Sequence, residues 1–296
     1  MIIVSVIVVT YNHEKYIRAA LQSIVDQEVD FKYEIIVAND ASTDNTLAII
    51  QEFDENYPGL FVIQNNEKNL GVLKNVSALL DAVQGKYYAL LDGDDYWSNS
   101  KKLQQQVDFL EANLAYNGVF HDAQIIMVDE KAEQLLFANK YLYSQSYDYK
   151  EVIFPSDLVN RLILPSSSAV FRTDRSVIKD FHLLKDDFSV AWKLSCLVIK
   201  DAKFYYINKP WSVYRNHQKG ISKSRNENFH LSHIDFLKSL FFDQFYKDYP
   251  YDLYKSISHE YMVLLNTARK ANNKLFFKYL RNEIMRIYYF KKQLKL

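Results

Sequence analysis

Two short apolar runs near the start of the chain, Ile2–Val9 and Tyr33–Ala38, limit its folds more than any other feature. They are dense in β-branched and aliphatic residues and lack the apolar–polar alternation of a half-exposed strand. Such runs belong to parallel strands covered on both faces. Parallel neighbours cannot be joined by a tight turn and need a crossover segment. The intervening residues supply one, because Ile17, Ala20, Leu21 and Ile24 repeat at i, i+3, i+4, i+7. A second helix is expected to open at Ser42 or Thr43, with Asp44 in its positive first turn, and to run to about Asn56 before Pro58-Gly59. Phe61–Gln64 reads as the third strand. Val72, Val76, Leu79, Leu80 and Val83 mark a helix that Gly85 stops, and Tyr87–Leu91 reads as the fourth strand. This alternation predicts an α/β fold, a mostly parallel sheet flanked by helices.

In such sheets ligands bind in the crevice beyond the carboxyl ends of the strands. Thr10-Tyr11-Asn12, Asn39-Asp40 and Asp92-Gly93-Asp94-Asp95 each follow a strand directly, so three polar loops reach one rim. The third carries the most chemistry. Residues i and i+2 of an extended segment share a face, so Asp92 and Asp94 point the same way, and Gly93 eases the turn that brings Asp95 to them. Carboxylates this close raise one another's pKa unless a cation lies between them. Hard oxygen ligands without neighbouring Cys or His favour Mg²⁺ or Mn²⁺ shared with a phosphate-bearing substrate. The plain alternative is a solvated acidic turn ahead of the helix that begins near Lys101. It leaves the other two loops at the same rim unexplained.

Composition removes several classes. The 36 basic and 36 acidic residues cancel, which argues against nucleic acid as a partner. The single cysteine, Cys196, lies in an apolar run, so no disulfide framework exists within the chain. No apolar run approaches the roughly 18 residues that span a bilayer, and Met1-Ile2-Ile3-Val4 lacks the basic start of a signal peptide. The expected location is cytoplasmic, with any membrane association peripheral at the inner face. Aromatic residues reach 15%, which suits stacking on bases or sugars.

Val4–Asn12, Asn39-Asp40-Ala41-Ser42-Thr43-Asp44, Asn69-Leu70-Gly71 with Lys74-Asn75, and Leu91-Asp92-Gly93-Asp94-Asp95 closely resemble the family-2 nucleotide-sugar glycosyltransferases of GT-A fold. The likeness is ordered over about the first 120 residues and continues in patches to about Ser222. It implies a Rossmann-like GT-A domain and an inverting, metal-dependent enzyme that uses a UDP-sugar. By position it implies that Tyr11, between Thr10 and Asn12, stacks on uracil and that Asp40 accepts from the base N3–H. Asn69, Gly71, Lys74 and Asn75 would line the donor. Asp92, Gly93 and Asp94 would contact ribose and metal, with Asp94 and Asp95 facing the diphosphate. Two departures stand out. Asn39-Asp40-Ala41 replaces the family's Asp-Asp-Gly, and Lys74 replaces an Arg, which keeps the charge but loses a bidentate fork.

Further along, Asp186-Asp187 ahead of Phe188–Leu194 resembles the acidic pair that opens a helix in that family. Inverting transfer needs a carboxylate within reach of the acceptor hydroxyl, opposite the leaving group. The offset from Lys193-Leu194 points to Asp187, with Asp186 as the alternative and simple attraction to a helix N-terminus as the non-catalytic reading. Tyr214-Arg215-Asn216-His217 resembles the segment that closes over the diphosphate. Arg215 or Lys219 would hold phosphate, and His217 would complete a metal shell with Asp94 and Asp95. His121-Asp122 separates two expected strands, 118–120 and 123–128. By resemblance Asp122 lies near the donor sugar; as a sequence feature it equally suits a hydrogen-bonded turn. Pro165–Arg172 reads as the acceptor-side strand or as a Ser-rich loop entering a strand, and Lys131–Tyr149 as a variable loop.

Helical spacing alone remains from Asn226 onward. The expected organisation is a catalytic domain over 1–225, divided into a nucleotide-binding half 1–120 and an acceptor half 121–225, followed by a helical C-terminal region 226–296. Residues 269–296 hold nine Lys/Arg against Glu283, a formal +8. That suits contact with a membrane surface, a partner or another copy, or an ordinary docked helix. The expected activity moves a hexose or N-acetylhexosamine from a UDP-sugar to a hydroxyl of a glycan, glycoprotein or lipid-linked acceptor, with Mn²⁺ or Mg²⁺ as cofactor. A nucleotidyltransferase is one alternative, although it needs no base like Asp187 and the chain has no Gly-rich phosphate loop. A nucleotide-binding scaffold without activity is the other.

Overall fold

The computed structural model describes residues 1–129, 134–141, 143, 150–160, 164–200, 202–217, 226–240, 243, 246, 248–271 and, within 273–285, all but 275, 279 and 282. Lys219, Ser222 and the basic end of the chain beyond 285 lie outside the described residues. The chain divides into two compact units, Met1–Ile153 with Ile163–Lys219, and Phe154–Leu162 with Gly220–Leu296.

The first unit is built on β1 (Val4–Thr10), α1 (Ile17–Val25), β2 (Tyr33–Asn39), α2 (Thr46–Asn56), β3 (Phe61–Asn65), α3 (Val72–Ala82) and β4 (Tyr87–Asp92). These strands lie parallel in the order β3–β2–β1–β4. Register sets Thr10 opposite Asn39, Asn39 opposite Asn65, and Val9 opposite Asp92, so the polar loops leave the sheet level with one another. On one face Val4, Val6 and Val8 pack with Ile17, Ala20, Leu21 and Ile24 of α1. Ser5 interrupts the first apolar run, yet it is fully buried. Its hydroxyl donates to Glu34 at 2.6 Å and accepts from the Gly85 amide at 2.9 Å, which ties the start of β4 to β2. A buried hydroxyl is tolerated only when paired in this way.

Beyond β4 the sheet becomes mixed. β5 (Tyr96–Trp97), α4 (Lys102–Ala112), β6 (Tyr116–Asp129), β7 (Gln134–Tyr141) and β8 (Val152–Ile153) are followed by a 3₁₀ turn at Ser166–Ser168, β9 (Val170–Arg172), α6 (Arg175–Phe181), α7 (Val190–Ile199) and β10 (Lys203–Asn216). β9 inserts antiparallel between β4 and β6, and β10 runs parallel to β6. The sheet is therefore less uniformly parallel than the alternation of the first half suggests, because short antiparallel strands need no crossover helix. Residues 118–120 and 123–128 form one strand rather than two. Asp122 Oδ1 accepts from the Ala123 and Tyr143 amides, both at 2.8 Å, and Oδ2 accepts from the Tyr206 hydroxyl at 3.1 Å. The irregularity falls on β10 instead, around Pro210. The expected loop 131–149 contains β7, whose backbone pairs with β6. Pro165–Arg172 is a Ser-rich 3₁₀ turn leading into β9.

The second unit contains α5 (Pro155–Val159), α8 (Glu227–Leu240) and α9 (Pro250–Lys270). Leu253, Ile257, Tyr261, Leu264 and Ala268 bury one stripe of α9, the helical spacing legible in the sequence. Asn160 donates to Asp252 at 2.7 Å, which joins the end of α5 to α9. Glu260, fully buried, accepts from His230 of α8 at 2.6 Å. Among the described residues no helix is long and apolar enough to cross a membrane.

One buried charge stands out. Lys102, the first residue of α4, is inaccessible to solvent and its ammonium sits 4.1 Å from the centre of the Trp97 ring. Its Nζ has no hydrogen-bond partner among the described residues. Burial holds the amine well below the ordinary lysine value of 10.5. The unfolded chain thus binds more protons than the folded one between the depressed pKa and 10.5, and stability rises with pH through that window. Lys102→Met is expected to stabilise the fold at neutral pH by about 1–3 kcal/mol, a gap that narrows as the pH approaches 10. Denaturant unfolding of both proteins at a series of pH values checks it; a mutant less stable at neutral pH contradicts it.

Candidate active site

Loops at the carboxyl ends of β1, β2 and β4 meet as their register requires. The loop after β1 is stitched to the one after β2. The Asn12 amide donates to Ser42 at 2.9 Å, and Asn12 Oδ1 accepts from the Thr43 amide at 2.8 Å. Ser42 and Thr43 therefore serve this seam rather than capping α2, which begins later at Thr46, whose amide Asp44 accepts at 3.0 Å. Asn12 and Ala41 adopt φ of 56° and 58°. Asn tolerates that region, but Ala pays for it, which is the physical sense of the glycine the family carries at the latter position. Thr10 is buried, whereas the Tyr11 ring is 45% exposed at the rim, open to a flat partner.

Asp40 is buried beneath the segment that leads into α3. It accepts from the Leu70 amide at 2.8 Å, the Gly71 amide at 3.0 Å and Asn66 Nδ2 at 2.9 Å; Asn66 also donates to Asn75 at 2.7 Å. Two residues further, the Leu73 amide donates to Asp187 Oδ1 at 2.7 Å, across 114 residues of sequence. Asp40, Gly71, Asn75 and Asp187 are thus brought together around one stretch of backbone. Asn69 and Lys74 lie beside them but are exposed, with no side-chain hydrogen bond or ion pair among the described residues.

Asp186 and Asp187 have separate environments. Asp186 Oδ1 accepts from the buried Lys193 ammonium at 2.8 Å and from the Phe188 amide at 3.0 Å. Asp187 is exposed and anchored through one oxygen.

The acidic turn after β4 is the electrostatic centre. Gly93 packs so closely on the preceding loop that a Cβ there would lie 2.8 Å from Thr10 and 2.9 Å from His13 Nδ1. Asp94 Oδ2 accepts from His217 Nε2 at 2.9 Å, and His13 Nε2 stands 3.9 Å away. Burial pushes the Asp94 pKa up, but the His217 hydrogen bond and the charges of both imidazoles outweigh it and leave Asp94 below the usual carboxylate range. Burial and the Asp94 charge raise Asp92 to about 6, against a 2.6 Å hydrogen bond from Ser166. Asp95, buried and facing both neighbouring charges, is raised well above the ordinary range. Arg215 braces the turn from β10. Its amide donates to Asp95 Oδ1 at 3.0 Å, its guanidinium donates to the Asp94 carbonyl at 2.7 Å, and that group lies 4.5 Å from the Tyr96 ring centre.

Among the described residues no three His, Cys, Asp or Glu side chains gather in a geometry that holds a metal unaided. The donor set nevertheless fits a hard divalent cation. Among the described residues Asp95 Oδ2 is buried without a hydrogen-bond partner. A cation that shares a diphosphate needs only one or two protein ligands, the remainder being phosphate and water oxygens. A larger cavity of about 360 Å³ lies at the opposite end of the strands, beside Arg172 and Arg175. Those arginines donate to the carbonyls of Tyr116, Leu110 and Val83, and the cavity is far from the acidic turn.

His13 and Ser166 were not singled out as site residues in the sequence. His13 follows Tyr11-Asn12 in a loop already identified, which is the signal that would have found it. Ser166 acts on Asp92 across 74 residues and leaves no local trace.

Residues 5–174 match the sequence model of the family described as glycosyl transferase family 2. An uncharacterized protein of Mycobacterium tuberculosis is 31% identical over 217 residues, 73% of this chain and 60% of its own length. The chain therefore spans less than two thirds of that relative. A putative teichuronic acid biosynthesis glycosyltransferase of Bacillus subtilis, TuaG, is 27% identical over 227 residues, 72% of this chain and 87% of its own. Among solved structures, Staphylococcus aureus TarS 1–349 in complex with UDP-GlcNAc superposes with a TM-score of 0.71 at 18% identity, covering 97% of this chain and 81% of TarS 1–349. A Pyrobaculum calidifontis mannosyltransferase in complex with GDP-Man and Mn²⁺ gives 0.53 at 16% identity, covering 97% and 84%. Both are likenesses of fold.

Gly71 is where the two carboxylate systems touch. It adopts φ of 85°, and a Cβ there would come within 2.7 Å of Asp187 Oδ2. Gly71→Ala is expected to cost about 1–2 kcal/mol of stability from the backbone alone and to push Asp187 off the Leu73 amide. Thermal unfolding and hydrogen exchange at Leu73 measure the two effects. Unchanged protection of that amide would show that the contact survives.

Proposed function

The chain belongs to glycosyl transferase family 2, a glycosyltransferase of α/β fold, and from that premise we propose an inverting, metal-dependent enzyme that transfers a hexose or N-acetylhexosamine from a UDP-sugar to a hydroxyl of a glycan acceptor. One observation carries the reading. The exposed Asp187 is held by the Leu73 amide, next to the Gly71 amide that Asp40 takes at the end of β2, and the Asp94–Asp95 turn follows β4 at the same end of the sheet; Asp92 and Val190, beside the two, line one cavity. Inversion needs a base on one side of the anomeric carbon and charge compensation on the other.

In this reading Asp187 takes the proton of the acceptor hydroxyl as that oxygen attacks the anomeric carbon. The Leu73 amide fixes one of its oxygens, which leaves the second for the acceptor. Asp186 is the weaker candidate because the buried Lys193 ammonium pairs with it. Tyr11 offers its exposed ring to the base, and Asp40 keeps the wall of that pocket in place while accepting from the base N3–H. Asn12, Asn69, Gly71, Lys74 and Asn75 line the donor side, and Arg215 holds the acidic turn against the diphosphate. Asp94, Asp95 and His217 would hold Mn²⁺ or Mg²⁺, which when bound neutralises the charge of the leaving diphosphate. UDP is favoured over GDP by the TarS complexes. The names of TarS, a poly(ribitol-phosphate) β-N-acetylglucosaminyltransferase, and of TuaG support a cell-surface polymer as acceptor. Catalysis is assigned to 1–225, and the +8 charge of 269–296 supports docking of the helical region at an anionic membrane surface.

The test is UDP release from a panel of UDP-sugars with and without chelator. Activity is expected to require a divalent cation. Asp94→Asn and Asp187→Asn should each lower kcat by about 100-fold or more, and only the second should leave UDP affinity unchanged. Asp40→Asn should weaken UDP binding by about 1–3 kcal/mol. Full turnover in excess chelator, or tighter binding of GDP than UDP, contradicts the reading.

A further inference from the structure

A small cavity of about 70 Å³ opens on the side of the sheet covered by α3 and α7. Val9 and Asp92 of β1 and β4, Val72 of α3, Val190 and Ala191 of α7, and Ser166 are among the residues that line it. Its lining is aliphatic except for one polar pair, the Ser166 hydroxyl donating to Asp92 Oδ2 at 2.6 Å.

Position gives this cavity a meaning, if the reading above holds. In-line inversion places the anomeric carbon between the base and the leaving diphosphate, hence between Asp187 and the Asp94–Asp95 turn. The cavity is walled by residues next to both: Asp92 precedes Asp94 on one side, and Val190 and Ala191 follow Asp187 on the other. Carbon 2 of the sugar is bonded to the reacting carbon, so its substituent is the one brought over this opening. A lone hydroxyl would leave most of the space empty and exchange water for aliphatic walls, at a cost. A cavity needs at least about 10–15 Å³ to take one water-sized occupant, so this one has room for a small group larger than a hydroxyl. An acetamido group is one such, with a methyl for the valines and an N–H for the Asp92–Ser166 pair.

We propose that this cavity is an acetamido subsite, and that the donor is a UDP-2-acetamido-2-deoxyhexose rather than a UDP-hexose. Ala191 then acts on specificity, because it lines the cavity with a single methyl group and a larger side chain there would fill it.

The experiment compares kcat/KM for UDP-GlcNAc and UDP-GalNAc with UDP-Glc and UDP-Gal, in the wild type and in Ala191→Leu. The wild type is expected to favour the acetamido donors by about 10-fold or more, the usual reach of one filled apolar pocket. Ala191→Leu should abolish that preference by losing the acetamido donors while retaining the hexose donors. Ala191→Val, a smaller intrusion, should give an intermediate ratio and serves if the leucine variant does not fold. Equal use of both donor classes by the wild type, or equal loss of both in the variants, overturns the subsite and leaves the transferase reading intact. Failure to turn over any UDP-sugar overturns the transferase reading, and the subsite with it.

Discussion

The amide groups at the start of α3 are the point on which the rest of the site depends. A helix leaves its first four N–H groups without internal partners. Gly71 occupies the N-cap of α3 and has no side chain to offer. Asp187 supplies the missing acceptor from 114 residues away, while Asp40 takes the two amides just before it. A carboxylate there also gains from the positive end of the helix. The geometry of the crevice is thus written in backbone hydrogen bonds, with side chains from both halves of the first unit converging on them.

The acidic turn obeys a different constraint. Three carboxylates close together cannot all be charged cheaply. Asp94 keeps its charge through His217 and His13, while Asp92 and Asp95 are driven toward the neutral form by burial and by Asp94 itself. Such a cluster is a store of electrostatic energy that added positive charge releases. Arg215 braces the turn through its amide and a carbonyl contact, and its positive charge offsets part of the repulsion on Asp95.

Periodicity made much of this legible. β1 to β4 and α1 to α4 appear where the apolar spacing puts them, and the level strand ends follow from the runs stopping at polar clusters. What escaped were long-range choices. Nothing local to Ser5 announces a buried hydroxyl bridging two strands. Nothing in the sequence around Lys102 signals burial, yet its ammonium packs against the Trp97 ring. Asp122 had two sequence readings, a turn residue or a neighbour of the donor sugar; it lies inside β6, not in a turn, and its carboxylate accepts from Tyr143 and Tyr206. Asp186 and Asp187 are indistinguishable by type and differ because Lys193, one helical turn into α7, reaches the former and the Leu73 amide the latter.

The place of β9 has a consequence for how the chain is made. Val170–Arg172 fills the gap between β4 and β6, so β4 has no partner on that side until much later residues have left the ribosome. At about 5–20 residues per second, several seconds pass in which a nearly complete parallel sheet shows a bare aliphatic edge. Unpaired edges of that kind recruit other strands. The period in which such pairing can occur is set by strand order rather than by the stability of the finished protein.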